Sequence, residues 1–406
     1  MTRADAPRDP RRGAELDRDS ERLLTPAFVL VLCLQFCFGL SYSTFFLLPK
    51  FLARQFHANA DAIGAVAATA LLASVLASPW TGAWLDRGSR RPFIAYGALV
   101  NGLSACGFWL IHAISWPIFG LRVVHGVSYG LVFNGIVTLA ADLAPPKKLG
   151  QAIGLCGAAS IVSNAVAPAT AEAIADSRGW GLVFLLAGGA ALLTALLSLA
   201  IREPVPSPEP VAEADLAACP TAFALLREPQ RVGAFVCSAA NGAAFGAMFT
   251  FTQPFALSLG ASVVSSFFLG YTLVALAVRL FLGGVADAWG RRRVALAALT
   301  LYGLVASLTS LLRPQLLFAA GAGLGFAHGL LYPSLNALAA EGIPRARRGA
   351  VMSYFFGCFG AGSALWVLGQ GLVAKAYGYP VVFLATGVLV WSAIAFVPKK
   401  ALGLSA

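Results

Sequence analysis

Asp86 and Asp287 lie 201 positions apart in a chain of 406 residues, each inside the same local signature. The first copy runs Gly82-Ala83-Trp84-Leu85-Asp86-Arg87-Gly88-Ser89-Arg90-Arg91. The second runs Gly283-Gly284-Val285-Ala286-Asp287-Ala288-Trp289-Gly290-Arg291-Arg292. Both put a glycine four positions before the acid and an arginine pair four and five positions after it, just beyond a long apolar run. The chemistry open to such a site is electrostatic. A carboxylate at the end of an apolar helix accepts from free N–H groups at the amino end of a neighbouring helix, whose dipole favours it. Gly82 and Gly283, without side chains, let that neighbour approach closely. Asp142 and Glu341, each at the end of another apolar run, predict two matched charge networks, Asp86–Arg90–Asp142 and Asp287–Arg291–Glu341. Topology marking by arginines alone needs neither the glycine nor the acid.

The elements that position these groups are membrane spans. The chain is 58% hydrophobic and 12% charged, outside the range of soluble domains. Apolar runs long enough to cross ~30 Å of hydrocarbon recur throughout. In the first half they cover 23–49, 62–85, 92–121, 123–141, 149–171 and 179–201. In the second half, 232–278 holds one helix and most of another, which 280–286 completes, followed by 294–312, 314–340, 349–374 and 376–398. The fold expected is an all-α membrane protein of twelve transmembrane helices in two six-helix bundles. Its divisions are a disordered cytoplasmic tail (1–22), an N-terminal bundle (23–201), a Pro-rich linker (202–231), a C-terminal bundle (232–398) and a short tail (399–406).

The net charge of +11 invites a nucleic-acid reading, and its distribution excludes it. With the amino terminus inside, 22 of the 29 basic residues fall on cytoplasmic segments, five on the opposite side (Lys50, Arg54, Arg178, Arg313 and Lys375), and two, Arg122 and Arg279, within spans. This asymmetry places both termini in the cytoplasm. The tail alternates six basic with six acidic residues and has no apolar face. The first span is too long for a signal peptide. Seven cysteines form no Cys-x-x-Cys, and Cys33 and Cys37 read as apolar packing. No metal and no cofactor is expected.

The duplication extends beyond the two acid motifs. Val124-His125-Gly126-Val127-Ser128-Tyr129 in span four matches Ala327-His328-Gly329-Leu330-Leu331-Tyr332 in span ten, and the two spans end Ala140-Ala141-Asp142 and Ala339-Ala340-Glu341. With these repeats, 23–400 resembles the major facilitator superfamily, and in part its drug and metabolite:proton antiporters. The superfamily pattern usually has Gly where this chain has Ser89. The antiporters' Gly-Pro segment of span five is represented by Ser163-Asn164-Ala165-Val166-Ala167-Pro168, with Pro168 able to kink the helix. Arg122-Val123-Val124-His125-Gly126 is similar to their Arg-x-x-Gln-Gly, with His in place of Gln. The resemblance implies alternating access, charge networks that latch the cytoplasmic side while the outer side is open, and a cavity lined by spans one, four, seven and ten.

Ionisable groups within the bilayer are functional candidates, because a mid-membrane charge costs about 2.5–3.5 kcal/mol even on the mildest scale. Arg122 stands about 10 Å into span four from its outer end; it either faces the cavity or pairs with a backbone carbonyl or Glu172. Arg279 stands about 12 Å from Asp287, and Arg279, Gly283 and Asp287 repeat at i, i+4 and i+8 on one stripe. Arg279 either contacts substrate or braces the latch. His125 and His328 lie near the middle of their spans. Imidazole titrates near pH 6.5 and can carry a coupling proton, although a packed histidine donating to the next helix explains each as well. Glu172 is a third candidate carrier. Gly321, Gly325 and Gly329 read as close helix packing. Gln35, Tyr42, Ser43, Asn134, Asn241, Gln253, Tyr332 and Asn336 supply further polar groups on cavity-type helices.

Gly126-Val127-Ser128-Tyr129-Gly130 fits the hydrolase pattern Gly-x-Ser-x-Gly, but that pattern needs a sharp strand-to-helix turn and here lies inside one apolar helix. With no nucleotide loop or carboxylate pair, an enzyme is not expected. The function expected is proton-coupled efflux of a small anionic, zwitterionic or neutral amphipathic molecule from a bacterial inner membrane, by a monomer. Two alternatives stay open: an uptake symporter for an organic anion or sugar, and a non-transporting membrane receptor, for which the tail and linker are short.

Overall fold

The computed structural model describes residues 23–398 apart from 87–88, 146–147, 202, 204–227 and 344. The side chains of 82–83, 85–86, 230, 287 and 345–350 also lie outside the described set, as do the amino-terminal tail, the carboxy-terminal tail and most of the linker. Eleven helices are long and apolar enough to cross a membrane, and Ser265–Phe281 is a shorter apolar twelfth. The spans are Pro26–Gln55, Ala60–Thr81, Arg91–Leu110, Trp116–Leu143, Leu149–Arg178 and Trp180–Ser198, then Arg231–Ser258, Ser265–Phe281, Arg291–Thr309, Pro314–Ala340, Val351–Tyr377 and Tyr379–Phe396. The second-half helices begin at Pro229, ahead of the boundary expected at 232.

Local chemistry explains the ends. Thr25 caps span one, its Oγ1 accepting from the Phe28 N–H at 3.2 Å, with Pro26 in the first turn, where its missing N–H is harmless. Gly179 and Gly378, with φ of 86° and 85°, end the fifth helix of each half in a conformation that favours glycine.

Three expected boundaries move. Span one continues past Pro49 as Leu48–Gln55, with the proline in the first turn of a renewed helix, so Lys50 belongs to a span and not to a loop. The apolar run expected as 92–121 breaks at 111–115, and span four starts at Trp116 with Pro117 in its first turn. Span eight stops at Phe281, and Asp287 sits on a separate short helix, Val285–Trp289. The paired glycines 283 and 284 stand between the two, where helix is least favoured. The expected stripe Arg279–Gly283–Asp287 therefore does not form.

The two halves meet along span two against span eleven and along span five against span eight. Within them, glycines set the closest contacts. A side chain on Gly126 would strike the Ala70 carbonyl of span two, and one on Gly321 the Phe267 carbonyl of span eight. Gly325 and Gly329 likewise face Tyr271 and Val278, as the small-residue spacing predicted. Gly283 does not fit that expectation: a Cβ there would meet the Arg279 carbonyl at the end of its own span, at 2.8 Å, and no neighbouring helix within 4 Å among the described residues.

Candidate functional site

Two pairs of the expected latch form where spans four and ten end. Arg90 Nε lies 3.1 Å from Asp142 Oδ2, and Arg291 Nη1 lies 3.9 Å from Glu341 Oε1. Two of the three members of each expected network are thus together; the carboxylates of Asp86 and Asp287 lie outside the described residues. The linker's ends support both networks. The Arg91 N–H donates to Glu203 Oε1. Arg231, 3% exposed, donates from Nη1 to the carbonyls of Ala339 and Glu341, each at 3.3 Å, and from Nε to Glu228 at 2.8 Å. That guanidinium caps the carboxy end of span ten, where free carbonyls favour a cation.

At the opposite end a clamp joins the halves. Glu172 and Lys50, each 2% exposed, form an ion pair at 2.5 Å. The same carboxylate accepts the Val264 and Ser265 N–H groups at 2.8 and 2.7 Å, capping the amino end of span eight. Lys50 also donates to the Ser262 carbonyl at 3.1 Å, and Arg54 to that of Ala261 at 3.2 Å. A buried ion pair is tolerable when its remaining donors and acceptors are filled in this way. Lys375 and Asp61 add a solvent-reached pair between spans eleven and two, at 2.7 Å. Gln253 reaches across to the Phe46 carbonyl at 2.6 Å.

Between latch and clamp, each half carries one histidine among aromatic rings. His125 is fully buried, edge-on to Phe45 at 4.1 Å and Tyr42 at 5.6 Å between centroids. Neither of its ring nitrogens has a protein partner among the described residues. Arg122, 6% exposed, donates from Nε to the Val66 carbonyl at 3.3 Å, with its guanidinium carbon 6.0 Å from the centre of Phe45. It does not meet Glu172. His328 lies 3.3 Å from Asn241 Oδ1 and stacks on Tyr332 at 5.5 Å. Arg279 is partly buried and reaches across to span five, its Nη1 being 3.2 Å from where a side chain on Gly157 would start.

The other polar candidates divide. Gln35 donates to Ser160 at 2.5 Å and Ser43 to Asn164 at 2.8 Å, so both tie span one to span five. Asn134 is exposed and Asn336 half-buried. Ser128 donates to the Val124 carbonyl at 2.7 Å within an unbroken helix, the setting on which the hydrolase match was rejected. Two apolar grooves, of about 310 and 480 Å³, contain none of these candidates.

The sequence model of the Major Facilitator Superfamily matches residues 31–275 and 234–401. The chain belongs to the Major Facilitator Superfamily. Similar proteins include Multi-drug resistance efflux pump PmrA of Streptococcus pneumoniae serotype 4 (strain ATCC BAA-334 / TIGR4), 25% identical over 339 residues, or 80% of this chain and 83% of that one. Multidrug resistance protein MdtG of Enterobacter lignolyticus (strain SCF1) is 26% identical over 336 residues, 80% of this chain and 79% of that one. Multidrug resistance protein 1 of Bacillus subtilis (strain 168) is 29% identical over 156 residues, a match spanning 38% of this chain and 40% of that protein. Among solved structures, a mutant form of the nucleoside transporter NupG aligns with a TM-score of 0.77 at 16% identity, covering 91% of this chain and 99% of that one. A bacterial homologue of the lysosomal transporter Spinster, described as inward-facing and unoccupied, aligns at 0.75 and 16% identity, covering 91% and 95%. At those identities they show the fold: twelve membrane helices in two six-helix halves.

This facilitator is therefore a multi-pass membrane protein that moves a small molecule by secondary transport. The residue the sequence reading missed is Lys50. A proline followed by a charge looks like the end of a span. Its signal was the apolar setting on both sides, Phe45-Phe46-Leu47-Leu48-Pro49 and Phe51-Leu52.

Proposed function

We propose that this facilitator exports a small anionic, zwitterionic or neutral amphipathic molecule in exchange for protons. It would act as a monomer in a bacterial cytoplasmic membrane, with both termini inside, without enzymatic chemistry and without a nucleic-acid partner. Efflux is supported by relatives named as multidrug efflux pumps that align over about four fifths of the chain. The charge preference rests on one observation. The buried acid Glu172 is held by Lys50, so neither Arg122 nor Arg279 has an acidic partner among the described residues. Uncompensated positive charge in a medium of lowered dielectric attracts carboxylates, sulfonates or phosphates and repels cations.

Two measurements test this. Binding to purified protein is compared across naphthalene probes bearing a sulfonate, an amide or a trimethylammonium group; the sulfonate is expected to bind tightest, and tightest binding of the cation sinks the charge reading. In inverted vesicles, export should collapse with an uncoupler and survive ATP depletion while the proton gradient holds. His125→Gln and His328→Gln identify the carrier: the true one loses gradient-driven transport yet keeps substrate exchange. Accumulation only in right-side-out cells would replace export with uptake.

A further inference from the structure

Among the rings of the two halves, which also meet edge to face, two runs are stacked. Tyr42 and Tyr129 stack at 3.9 Å with 25° between planes, and Phe133 continues from Tyr129 at 5.3 Å and 24°. In the second half, His328 and Phe356 stack on Tyr332 at 19° and 25°. Tyr129 and Tyr332 occupy equivalent places in spans four and ten and are each only partly buried. Parallel stacks present flat π-faces, which favour another flat ring.

Arg279 stands beside this arrangement. Its neighbour Val278 packs on Gly329 of span ten, one turn before Tyr332, and Arg279 makes no hydrogen bond or ion pair among the described residues. Opposite it, Gly157 leaves the guanidinium room that any side chain would take, since a Cβ there would start 3.2 Å from Nη1. Arg122, by contrast, spends its Nε on Val66 and is nearly enclosed. A guanidinium is a planar, permanently charged fork suited to a carboxylate or sulfonate.

We infer that Arg279 is the specificity-determining residue for a planar aromatic acid, whose ring lies against the tyrosine stacks of spans four and ten while its acid group meets the guanidinium. This rests on the exporter reading above and narrows it from amphipathic molecules of any shape to flat acids. Calorimetry on the purified, detergent-solubilised protein with 2-naphthoate, 2-naphthamide and decalin-2-carboxylate tests it. Naphthoate should bind roughly threefold to tenfold tighter than its saturated counterpart. Arg279→Gln should weaken naphthoate by at least about tenfold and leave the amide unchanged, with Arg279→Lys in between. Tyr332→Leu should erase the preference for the aromatic ring. If Arg279→Gln folds poorly, Gly157→Val displaces the guanidinium with its charge kept, and should weaken naphthoate selectively. Equal binding of naphthoate and decalin carboxylate, or unchanged naphthoate binding in both Arg279→Gln and Gly157→Val, overturns the inference. If anions still outbind cations in that case, the exporter reading stands without it.

Discussion

Glu172 accepts three hydrogen bonds in a site that is 2% exposed: one from the Lys50 ammonium and two from the backbone at the start of span eight. Glu172→Gln keeps the shape but takes the near counter-charge from buried Lys50, leaving it the solvent-reached Asp176 carboxylate at 3.7 Å, a cost of up to about 3–5 kcal/mol for a broken buried pair. The expected result is an open clamp, seen as faster maleimide labelling of a cysteine placed at Ser262. Replacing both partners, Lys50→Met with Glu172→Leu, should label more slowly than the single variant, because no charge is then stranded. Labelling unchanged in Glu172→Gln would reduce the pair to packing. His125 carries the other local question. It is fully enclosed, with neither ring nitrogen bonded to protein among the described residues, whereas His328 has Asn241. The two positions, matched in the sequence repeat, are therefore chemically unlike.

Helix pairs show why span four and span ten repeat a glycine after the histidine. Gly126 packs against the Ala70 carbonyl of span two. Backbone cannot yield as a flexible side chain does, so Gly126→Val should lower stability by about 1–3 kcal/mol, read as a lower melting temperature in detergent. Gly120→Val, on the same helix with nothing within 4 Å of the new side chain, should leave the melting temperature unchanged. Similar losses at both sites would mean that helix propensity, not the close crossing, matters. The break after Phe281 belongs to this scale too. It detaches the short helix carrying Asp287 from the span carrying Arg279, so the second latch and the candidate anion site lie on separate elements.

Across the whole molecule, the hydrogen bonds described between the halves lie between the middle of the bundle and the end bearing Lys50 and Glu172. Thr272 to the Ile161 carbonyl, at 3.3 Å, is the one set deepest. The Arg90–Asp142 and Arg291–Glu341 pairs at the other end stay within their own halves. A bonded clamp at that end is what one station of an alternating-access cycle requires. Asp86→Asn and Asp287→Asn, at the expected latch, should bias the cycle toward the state in which the clamp is closed. Arg90 and Asp142 are already paired with the clamp closed, so Asp142→Asn takes a partly exposed pair worth up to about 1 kcal/mol from that state and should shift the balance the other way, by up to about fivefold. Cysteine accessibility from the clamped side reports it, and an unchanged value in all three variants would leave the signature as a topology signal.

The class of the protein was legible in the sequence because hydropathy and span length are local properties. Apolar runs must become helices where no water is available to the backbone. The duplicated acid and arginine motifs were legible for the same reason, and so was the pairing of Arg90 with Asp142 and Arg291 with Glu341, since helix ends at one face of a bundle are brought together by topology alone. What the tertiary structure decided was which partner each buried charge takes. Lys50 and Glu172 are 122 positions apart, and Glu172 pairs with Lys50 rather than with Arg122, which turns to Val66. Arg279 is left with a glycine opposite it. Two arginines inside apolar runs read alike in one dimension. Only the packing of the neighbouring helices determines that one is enclosed among backbone and rings while the other makes no hydrogen bond or ion pair among the described residues.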